Sequence, residues 1–354
     1  MEDLSEQYGR AAERMLEHVE AATTDQASDV MRVPVANYLD EARWRREIDR
    51  IFLRLPLMLA LSIELPGQND YKAMDVVGKP VLITRAKDGK ARALLNVCKH
   101  RAMLLAPEGR GNCARFVCQY HAWTYGNDGK LIGVAEPKTF GDVDRKTLNM
   151  TELPCEEIAG MIFVILTPGL PIDAKAWLGG MYEDFAALKL DSWYFHKARP
   201  MEGANWKVAY DGYLEGYHFQ AAHTNTVATR TPSNRAVYEG FGPHIRLGFP
   251  QIVCYLGEGS LFGEETLFQE RQRTYSAAVH SSTARVVLIS SAGFAEMLAH
   301  FELPREQFLS QCRYGDFLAR RSTHYEQKLA ECAQVKKVYR SQGQVRAAVG
   351  GRQQ

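Results

Sequence analysis

Apolar and polar residues alternate in different ways along the chain, and each pattern predicts a different kind of element. Near the start, Met15, Val19 and Ala22 recur at intervals of three and four residues, which predicts a helical arm over residues 1–50. Residues 51–155 instead carry short β-type runs broken by turn signals, which predict a small antiparallel β domain. Its strands are expected at residues 80–84, 93–97, 115–118 and 125–130, the last forming a hairpin around Asn127-Asp128-Gly129.

The remaining segments predict a mixed second half. A buried strand is expected at residues 160–166, a helix near 177–188, and a longer helix rich in aromatic residues at 205–222. Glycine-punctuated strands follow residue 250, and the tail after them has its apolar side chains on one helical face. The pattern therefore predicts an α+β chain in five parts: an arm (1–50), a β domain (51–155), a mixed segment (156–250), a strand-rich segment (251–300) and a helical tail (301–354).

Composition excludes several classes of function. The chain has 354 residues, enough for two or three domains, and 46% of them are apolar, which excludes a disordered chain. Its 43 Lys and Arg residues balance 42 Asp and Glu residues, so we expect neither a nucleic acid nor an anionic membrane as partner. We recognise no secretory signal or membrane span, and seven scattered cysteines indicate reduced thiols. A cytoplasmic protein is the expectation.

Two short motifs each pair a cysteine with a histidine. One residue separates Cys98 from His100, two separate Cys118 from His121, and each pair follows a strand-like run. Two cysteines on one iron and two histidines on the other would form a [2Fe–2S] centre, whereas four donors on one ion would form a zinc site. Spacing alone leaves both open. Cys113, between the pairs, is expected to be a buried apolar side chain.

A second group of metal-binding side chains lies in the aromatic-rich helix. Asp211, Glu215 and His218 are spaced by four and three residues, so on a helix they would share one face, and His223 follows five residues later. Two imidazoles and a carboxylate form the facial triad of non-haem Fe(II) oxygenases. The alternative is an amphipathic helix whose histidines are hydrogen-bonded in a core.

Both motifs resemble those of one protein family, over about residues 35–250. The sequences CKHRAM at 98–103 and CQYHAWTY at 118–125 resemble the two cluster loops of Rieske ring-hydroxylating oxygenase α subunits. The segment that opens with Asn-Trp-Lys at residue 205 and continues acid-x-x-His-x₄-His resembles the mononuclear-iron motif of the same family. The resemblance implies a Rieske domain placed before a truncated, helix-grip-like catalytic domain, and it favours the cluster over zinc.

The resemblance also implies the ligands. It assigns the cluster to four residues, Cys98 and Cys118 on one iron and His100 and His121 on the other. It assigns a mononuclear Fe(II) to His218 and His223, with Asp211 and Glu215 as the candidate catalytic acids. Glu215 stands where the family usually has an Asp that connects this iron to a cluster histidine of the neighbouring subunit. Three aromatic side chains would shield the cluster: Tyr120, Trp123 and Tyr125.

The third iron ligand departs from the family pattern. The family takes this carboxylate from the closing part of the catalytic domain, but the resemblance stops at Pro250. Among the residues after Pro250, Asp316 is the best candidate, ahead of Glu326 and Glu331, and no motif supports any of the three. His244, before that point, is expected to be structural or to line the substrate pocket.

The segment after residue 250 resembles a different kind of domain. Residues 256–264 and 273–279 are similar to the phosphate-binding cassette of cyclic-nucleotide-binding domains, as in the back half of a β-roll. By this resemblance Glu264 would accept a hydrogen bond from the ribose and Arg273 would pair with the phosphate. A glycine-rich turn between two catalytic-domain strands is the alternative.

These observations predict an enzyme. The family resemblance implies the terminal oxygenase component of a Rieske non-haem iron system, which hydroxylates, dihydroxylates or demethylates a small organic substrate, as in aromatic ring hydroxylation. It would use O₂ and electrons from NAD(P)H through a ferredoxin or flavin reductase, and would act as a homo-oligomer, commonly a trimer. The competing hypothesis is a non-catalytic Rieske redox or sensor protein with a truncated catalytic domain and a nucleotide-binding-like tail. A joined reading frame without a coherent C-terminal function is a third.

Overall fold

The structure, a computed structural model, describes residues 4–140 and 144–251, and the strands that pair within these residues run antiparallel. The strands in these residues are β1 (Leu57–Leu61), β2 (Asp70–Val76), β3 (Lys79–Arg85), β4 (Ala91–Leu95), β5 (Gly109–Asn112), β6 (Arg115–Val117), β7 (Thr124–Gly126), β8 (Leu131–Gly133), β9 (Glu152–Leu153), β10 (Cys155–Ile158), β11 (Met161–Val164), β12 (Val237–Phe241) and β13 (His244–Gly248). The α-helices are α1 (Leu4–Ala21), α2 (Ala36–Leu39), α3 (Glu41–Glu47), α4 (Ala174–Leu178), α5 (Met181–Ala187), α6 (Trp206–Tyr213) and α7 (Phe219–Ala222).

The largest sheet has five strands in the order β5-β2-β3-β4-β9. Its central strand β3 is buried on both faces, because successive side chains of a strand point in opposite directions. Val81 and Ile83 pack in one core, and Leu82 packs in the core that contains Cys98 and Cys118. One face of this sheet therefore packs in the same core as the cysteines of the two loops.

A three-stranded sheet, β6-β7-β8, carries the second cysteine loop. The hairpin predicted around Asn127-Asp128-Gly129 is confirmed, since β7 ends at Gly126 and β8 begins at Leu131. Gly129 has a φ of 82°, and a Cβ there would lie 2.9 Å from a Leu94 methyl carbon, so both backbone conformation and space require glycine.

The third sheet, β1-β11-β10, joins two segments that the sequence pattern separates. Strand β11 confirms the strand predicted at 160–166, and it pairs with β1, which lies about a hundred residues earlier. Strand β10 crosses the expected boundary between residues 155 and 156. Side chains of α4 and α5 pack on β11 through the cluster that includes Phe163, Leu178 and Phe185.

The N-terminal arm contains three α-helices and a short π-helical turn at Ile48–Phe52, but residues 23–34 form no helix. The arm contacts the region of the β12-β13 hairpin and α5: Thr24, after α1, exchanges hydrogen bonds with the backbone of Ala236, before β12, and Tyr8 of α1 donates to Asp184 of α5. Arg246 of β13 bonds Asp184 and Glu239 beside the Tyr8 ring. None of the helices in the described ranges is long and apolar enough to cross a membrane.

Candidate metal centres

Two loops with the same backbone hydrogen bonds bring the four predicted cluster ligands together. In each loop the cysteine N–H donates to the carbonyl five residues ahead, and the amide four residues ahead donates back to the cysteine carbonyl. The four bonds are 2.8–2.9 Å long and join Cys98 to Met103 and Ala102, and Cys118 to Trp123 and Ala122. Two unrelated stretches of sequence therefore fold into equivalent turns that each present a Cys and a His.

Both loops contain an alanine in the left-handed region of backbone space. Ala102 has a φ of 54° and Ala122 a φ of 53°. This conformation costs a non-glycine residue about 1–2 kcal/mol, so the surrounding bonds must hold it. The strand pair β6-β7 closes the second loop, and a single bridge between Val97 and Leu104 closes the first.

The four side chains form two pairs, with both cysteines in one buried core and the two histidine rings side by side. Cys98 and Cys118 are buried, at 2% and 3% exposure, and both are free thiols. The rings of His100 and His121 lie with their centroids 4.6 Å apart. The donors thus form a cysteine pair inside and a histidine pair nearer the surface.

The hydrogen bonding of the histidines fits a metal-binding role. Within the described residues, Nδ1 of His100 and Nδ1 of His121 are both buried and have no hydrogen-bond partner. Leaving two imidazole nitrogens unsatisfied is costly unless another group binds them. Burial, the nearby His121 and Arg101 lower the pKa of His100, which favours the neutral imidazole that binds metals. The residues present therefore fit a [2Fe–2S] cluster.

Aromatic side chains surround the two cysteine–histidine loops. Trp123 and Tyr125 are buried, and the Trp123 ring stacks on His100 at 4.9 Å. Tyr120 is itself 56% exposed, and its ring lies over the His121 ring with the centroids 3.8 Å apart. Phe140, which no sequence signal singled out, lies edge-on to both His100 and Trp123.

The Tyr125 hydroxyl lies beside a cysteine sulfur. It is 3.4 Å from Cys98 Sγ and accepts a 3.0 Å hydrogen bond from the Lys99 amide. Because the oxygen accepts from Lys99, its own proton is available for the sulfur. Burial and the Cys98 side chain raise the pKa of Tyr125, so the hydroxyl keeps that proton.

Tyr125→Phe is expected to lower the reduction potential of the cluster. A hydrogen bond to a ligand sulfur stabilises the more negative, reduced state, and about 1 kcal/mol for one bond corresponds to roughly 40 mV for one electron. Redox titration of the purified protein measures the shift. Tyr71→Phe is the matched control, because Tyr71 packs on Phe116 at the edge of the same core. Equal potentials in the wild type and Tyr125→Phe would contradict the assignment.

Cys113 takes no part in the loops. It is half-buried, packs against the core below the cysteines, and donates a 2.8 Å hydrogen bond to the Arg115 carbonyl. The expectation of a buried apolar side chain is therefore met in part, since Cys113 packs against the core but remains partly exposed and stands apart from the four predicted ligands.

The second predicted site lies on a broken helix. Helix α6 ends at Tyr213 and α7 begins at Phe219, so the continuous helix predicted for residues 205–222 was wrong. Gly216 lies in the break, where a Cβ would meet the Phe249 ring at 2.6 Å. The Phe249 ring therefore leaves no room for a side chain at position 216.

The break separates Asp211 from the other predicted site residues. Asp211, in the last turn of α6, accepts a 2.6 Å hydrogen bond from the Tyr38 hydroxyl of the arm. The expected shared face of Asp211, Glu215 and His218 does not form, because that face required one helix through all three. Asp211 remains a candidate catalytic acid only as a proposal.

Glu215 and His218 do come together. The Glu215 carboxylate contacts His218 Nδ1 and accepts hydrogen bonds from the backbone amides of Tyr217 and His218. Partial burial raises the pKa of Glu215, but these bonds outweigh it and lower the pKa overall. A carboxylate on one nitrogen of a histidine orients the ring and leaves the other nitrogen for a metal. This pair fits a mononuclear iron site.

His223, at the end of α7, is the second candidate ligand. Its ring lies 5.1 Å from that of His218, between centroids. No group of three or more His, Cys, Asp or Glu side chains is arranged to hold one ion within residues 4–140 and 144–251. Asp316, the candidate third ligand, lies outside the described residues, as do Glu264 and Arg273.

His244 has a structural setting. Its Nε2 lies 2.7 Å from the Trp177 carbonyl and its ring packs edge-on against the Trp177 ring. This agrees with the structural role that the sequence allowed for it, and it ties β13 to α4.

Two family models match the chain. Residues 56–149 match the Rieske [2Fe–2S] domain, and residues 190–309 match the ring hydroxylating alpha subunit (catalytic domain). A Rieske domain binds a [2Fe–2S] cluster, and the catalytic domain binds mononuclear iron. The match to a Rieske domain decides against the zinc alternative.

The catalytic-domain match also bears on the segment after residue 250. It extends to residue 309, so the family resemblance does not stop at Pro250 as the sequence pattern suggested. Glu264 and Arg273 lie within the matched range, and neither family match supports the resemblance to a cyclic-nucleotide-binding domain. The alternative of a sensor with a nucleotide-binding-like tail is accordingly not favoured.

Similar proteins include several oxygenases. Choline monooxygenase of Spinacia oleracea is 32% identical over 202 residues, 55% of this chain and 46% of that protein. The anthranilate 1,2-dioxygenase large subunit of Acinetobacter baylyi is 28% identical over 208 residues, 56% of this chain and 44% of that protein. The crystal structure of the quaternary ammonium Rieske monooxygenase CntA with L-carnitine matches with a TM-score of 0.54 and 28% identity, covering 58% of this chain and 59% of that one.

The chain spans about half the length of the curated relatives that it matches. Within that span, the fold, the cysteine–histidine loops and the two family matches agree. The chain carries a Rieske [2Fe–2S] domain followed by a ring-hydroxylating alpha-subunit catalytic domain, and its homologues are the large subunits of Rieske oxygenases.

Proposed function

We propose that the protein is the terminal oxygenase component of a Rieske non-haem iron system. It would use O₂ and electrons from a ferredoxin or flavin reductase to hydroxylate or demethylate a small organic substrate. The observation that carries this proposal is the presence of two separate donor sets in one chain. One is the buried Cys98/Cys118 pair with two histidines whose Nδ1 atoms have no hydrogen-bond partner among the described residues, and the other is the Glu215–His218 pair beside His223.

The proposed ligands have distinct tasks. Cys98 and Cys118 would hold one iron of the cluster from the buried side, and the Nδ1 atoms of His100 and His121 would bind the other. His218 and His223 would hold the mononuclear iron. When bound, the cluster supplies single electrons and the mononuclear iron supplies open positions for O₂ and substrate.

The residues around these ligands orient them and control access of water. Glu215 fixes the ring of His218 through Nδ1 and so directs Nε2 toward the proposed iron position. Trp123 covers one face of His100, which keeps that side of the proposed cluster dry. Asp211 is proposed as an acid that acts near the iron, and its proton exchange would run through the hydroxyl of Tyr38.

An exposed apolar rim supports the proposed partners. Met103, Leu104 and Tyr120, on or next to the two cysteine loops, are 44%, 51% and 56% exposed. Exposed apolar residues clustered at a redox centre are typical of a docking surface. We propose that this rim receives an electron-donor protein and a neighbouring subunit of a homotrimer. A cytoplasmic location suits the four free cysteines among the described residues.

The proposed substrate class is broad. The relatives are named for choline, L-carnitine and anthranilate, which share a small size and a charged group but differ in reaction. A panel should therefore contain quaternary ammonium compounds as well as aromatic acids, and product analysis would distinguish demethylation, monohydroxylation and dihydroxylation.

Metal analysis tests the proposal first. Protein purified anaerobically and supplied with Fe(II) is expected to contain about three irons and two acid-labile sulfides per chain. O₂ uptake and NADH consumption with a surrogate reductase should then depend on a member of the substrate panel. A preparation with the cluster and no third iron would contradict the catalytic function and favour an electron carrier. A thermal shift on adding cyclic AMP or cyclic GMP would revive the sensor hypothesis.

A further inference from the structure

We propose that Glu47 is a positioning residue for the mononuclear iron site, which acts by fixing the start of the helix that leads to the iron histidines. The inference rests on the proposed function, because it concerns the site at His218 and His223. It adds a role for the N-terminal arm, which contributes none of the candidate ligands.

Glu47 joins the arm to the first turn of α6. Its carboxylate is 8% exposed and accepts hydrogen bonds from Lys207 Nζ at 2.7 and 2.8 Å and from the Trp206 indole N–H at 3.2 Å. Arg43, one turn earlier in α3, donates to the same carboxylate at 3.0 Å. One buried acid therefore binds the two residues with which α6 begins.

Other contacts from the arm hold the same helix. The Asn205 side chain caps α6 by accepting from the Lys207 amide, and its own amide group donates to the Tyr38 carbonyl at 2.9 Å. Tyr38 also donates its hydroxyl proton to Asp211, in the last turn of α6. The Phe52 ring packs edge-on against the indole of Trp206. The arm thus contacts α6 at both ends.

These contacts matter because α6 has no buried residue of its own. An eight-residue helix is only marginally stable in isolation, and its position is normally set by an apolar face packed in a core. Here the polar contacts with the arm take that role. The chain leaves α6 at Leu214 and reaches Glu215 and His218 within four residues, so a shift of α6 moves the proposed ligands.

A stabilising role and a positioning role predict different results for single and double substitutions. Glu47→Gln leaves the partly buried ammonium of Lys207, which is 14% exposed, without its counter-charge, so it destabilises the protein. Replacing both partners by apolar residues, as in Glu47→Leu/Lys207→Met, removes that penalty and is often neutral for stability. Only the positioning role predicts that the double variant still binds iron poorly.

The experiment measures metal affinity directly, without turnover. Full-length protein with its cluster intact and its mononuclear site emptied by a chelator is titrated with Fe(II) under anaerobic conditions, while the EPR signal of the reduced cluster reports folding. We expect Glu47→Gln and the double variant to bind Fe(II) about tenfold more weakly than the wild type, as found when residues that orient metal ligands are replaced. The EPR signal should be unchanged.

The matched control is Glu157→Gln. Glu157 forms a comparable ion pair with Arg85, at 2.7 Å, but on β10 and β3 of the strand-rich part. This control is expected to lose stability and to keep the Fe(II) affinity of the wild type. Tyr38→Phe, which removes one exposed hydroxyl, gives a second test that does not disturb a buried charge, and it should weaken Fe(II) binding several-fold.

The outcomes separate this inference from the proposed function. If the wild type binds no Fe(II) beyond the cluster, the proposed function and this inference both fail. If the wild type binds Fe(II) and the double variant and Tyr38→Phe bind it equally well, the proposed function stands and the positioning role of Glu47 is overturned. Recovery of affinity in the double variant alone would likewise show that Glu47 acts on stability only.

Discussion

Cys118→Ser is expected to abolish the [2Fe–2S] cluster, with loss of both cluster irons, both sulfides and the EPR signal of the reduced protein. Cys118 is 3% exposed at the start of the second loop, and serine cannot replace a thiolate that binds iron from inside the core. The opposite loop with Cys98 would retain only one sulfur donor. Iron and sulfide analysis with EPR spectroscopy measures the loss.

Two other cysteines provide the controls for this prediction. Cys113 donates its thiol proton to the Arg115 carbonyl, and burial with the nearby Glu157 carboxylate raises the pKa of Cys155 to about 12. The Cys155 thiol therefore stays protonated at neutral pH, and neither cysteine lies on a cysteine–histidine loop. Cys113→Ser and Cys155→Ser should therefore keep the full cluster content. A cluster that survives Cys118→Ser, or disappears in either control, would show that the ligands are assigned wrongly.

The cysteine loops could be predicted from the sequence because their determinants are local. Each ligand pair lies within four residues, and the hydrogen bonds that shape each loop span at most five residues. The left-handed alanines at positions 102 and 122 carry no such signal, since alanine rarely adopts that conformation. Phe140 also escaped prediction, because its contact with His100 spans forty residues of chain.

The helix of the second site shows where periodicity misleads. A spacing of four and three residues fits one helical face and therefore predicts a continuous helix. Glycines stand at positions 212 and 216 of that segment, and each costs a helix about 1 kcal/mol. The Glu215–His218 contact nevertheless forms, because residues three apart also meet across a tight turn. Asp211, four residues before Glu215, required the helix to continue and instead faces Tyr38.

Sequence patterns do not reveal which residues far apart in the chain will contact each other. Glu47 and Lys207 are separated by 160 positions, and nothing in either segment marks the other as its partner. The end of the family resemblance at Pro250 was also placed too early, because glycine-rich strand sequences after that residue suggested another domain. Local chemistry identified the metal-binding residue types, whereas packing decided which of them face one another.

His223→Ala is expected to remove the mononuclear iron and with it substrate-dependent O₂ uptake, by a factor of about 100 or more, while the cluster keeps its iron, sulfide and EPR signal. The structure offers only two histidines at this site within residues 4–140 and 144–251, so loss of either leaves too few ligands. Glu215→Gln is the informative companion, because glutamine can still accept from the Tyr217 and His218 amides but lacks the charge that orients His218. It should retain iron with about tenfold to hundredfold weaker affinity.

His244→Ala, which removes a histidine bonded to the Trp177 carbonyl, controls for loss of an imidazole elsewhere and should keep about three irons per chain. Undiminished third-iron binding in His223→Ala would exclude this histidine as a ligand.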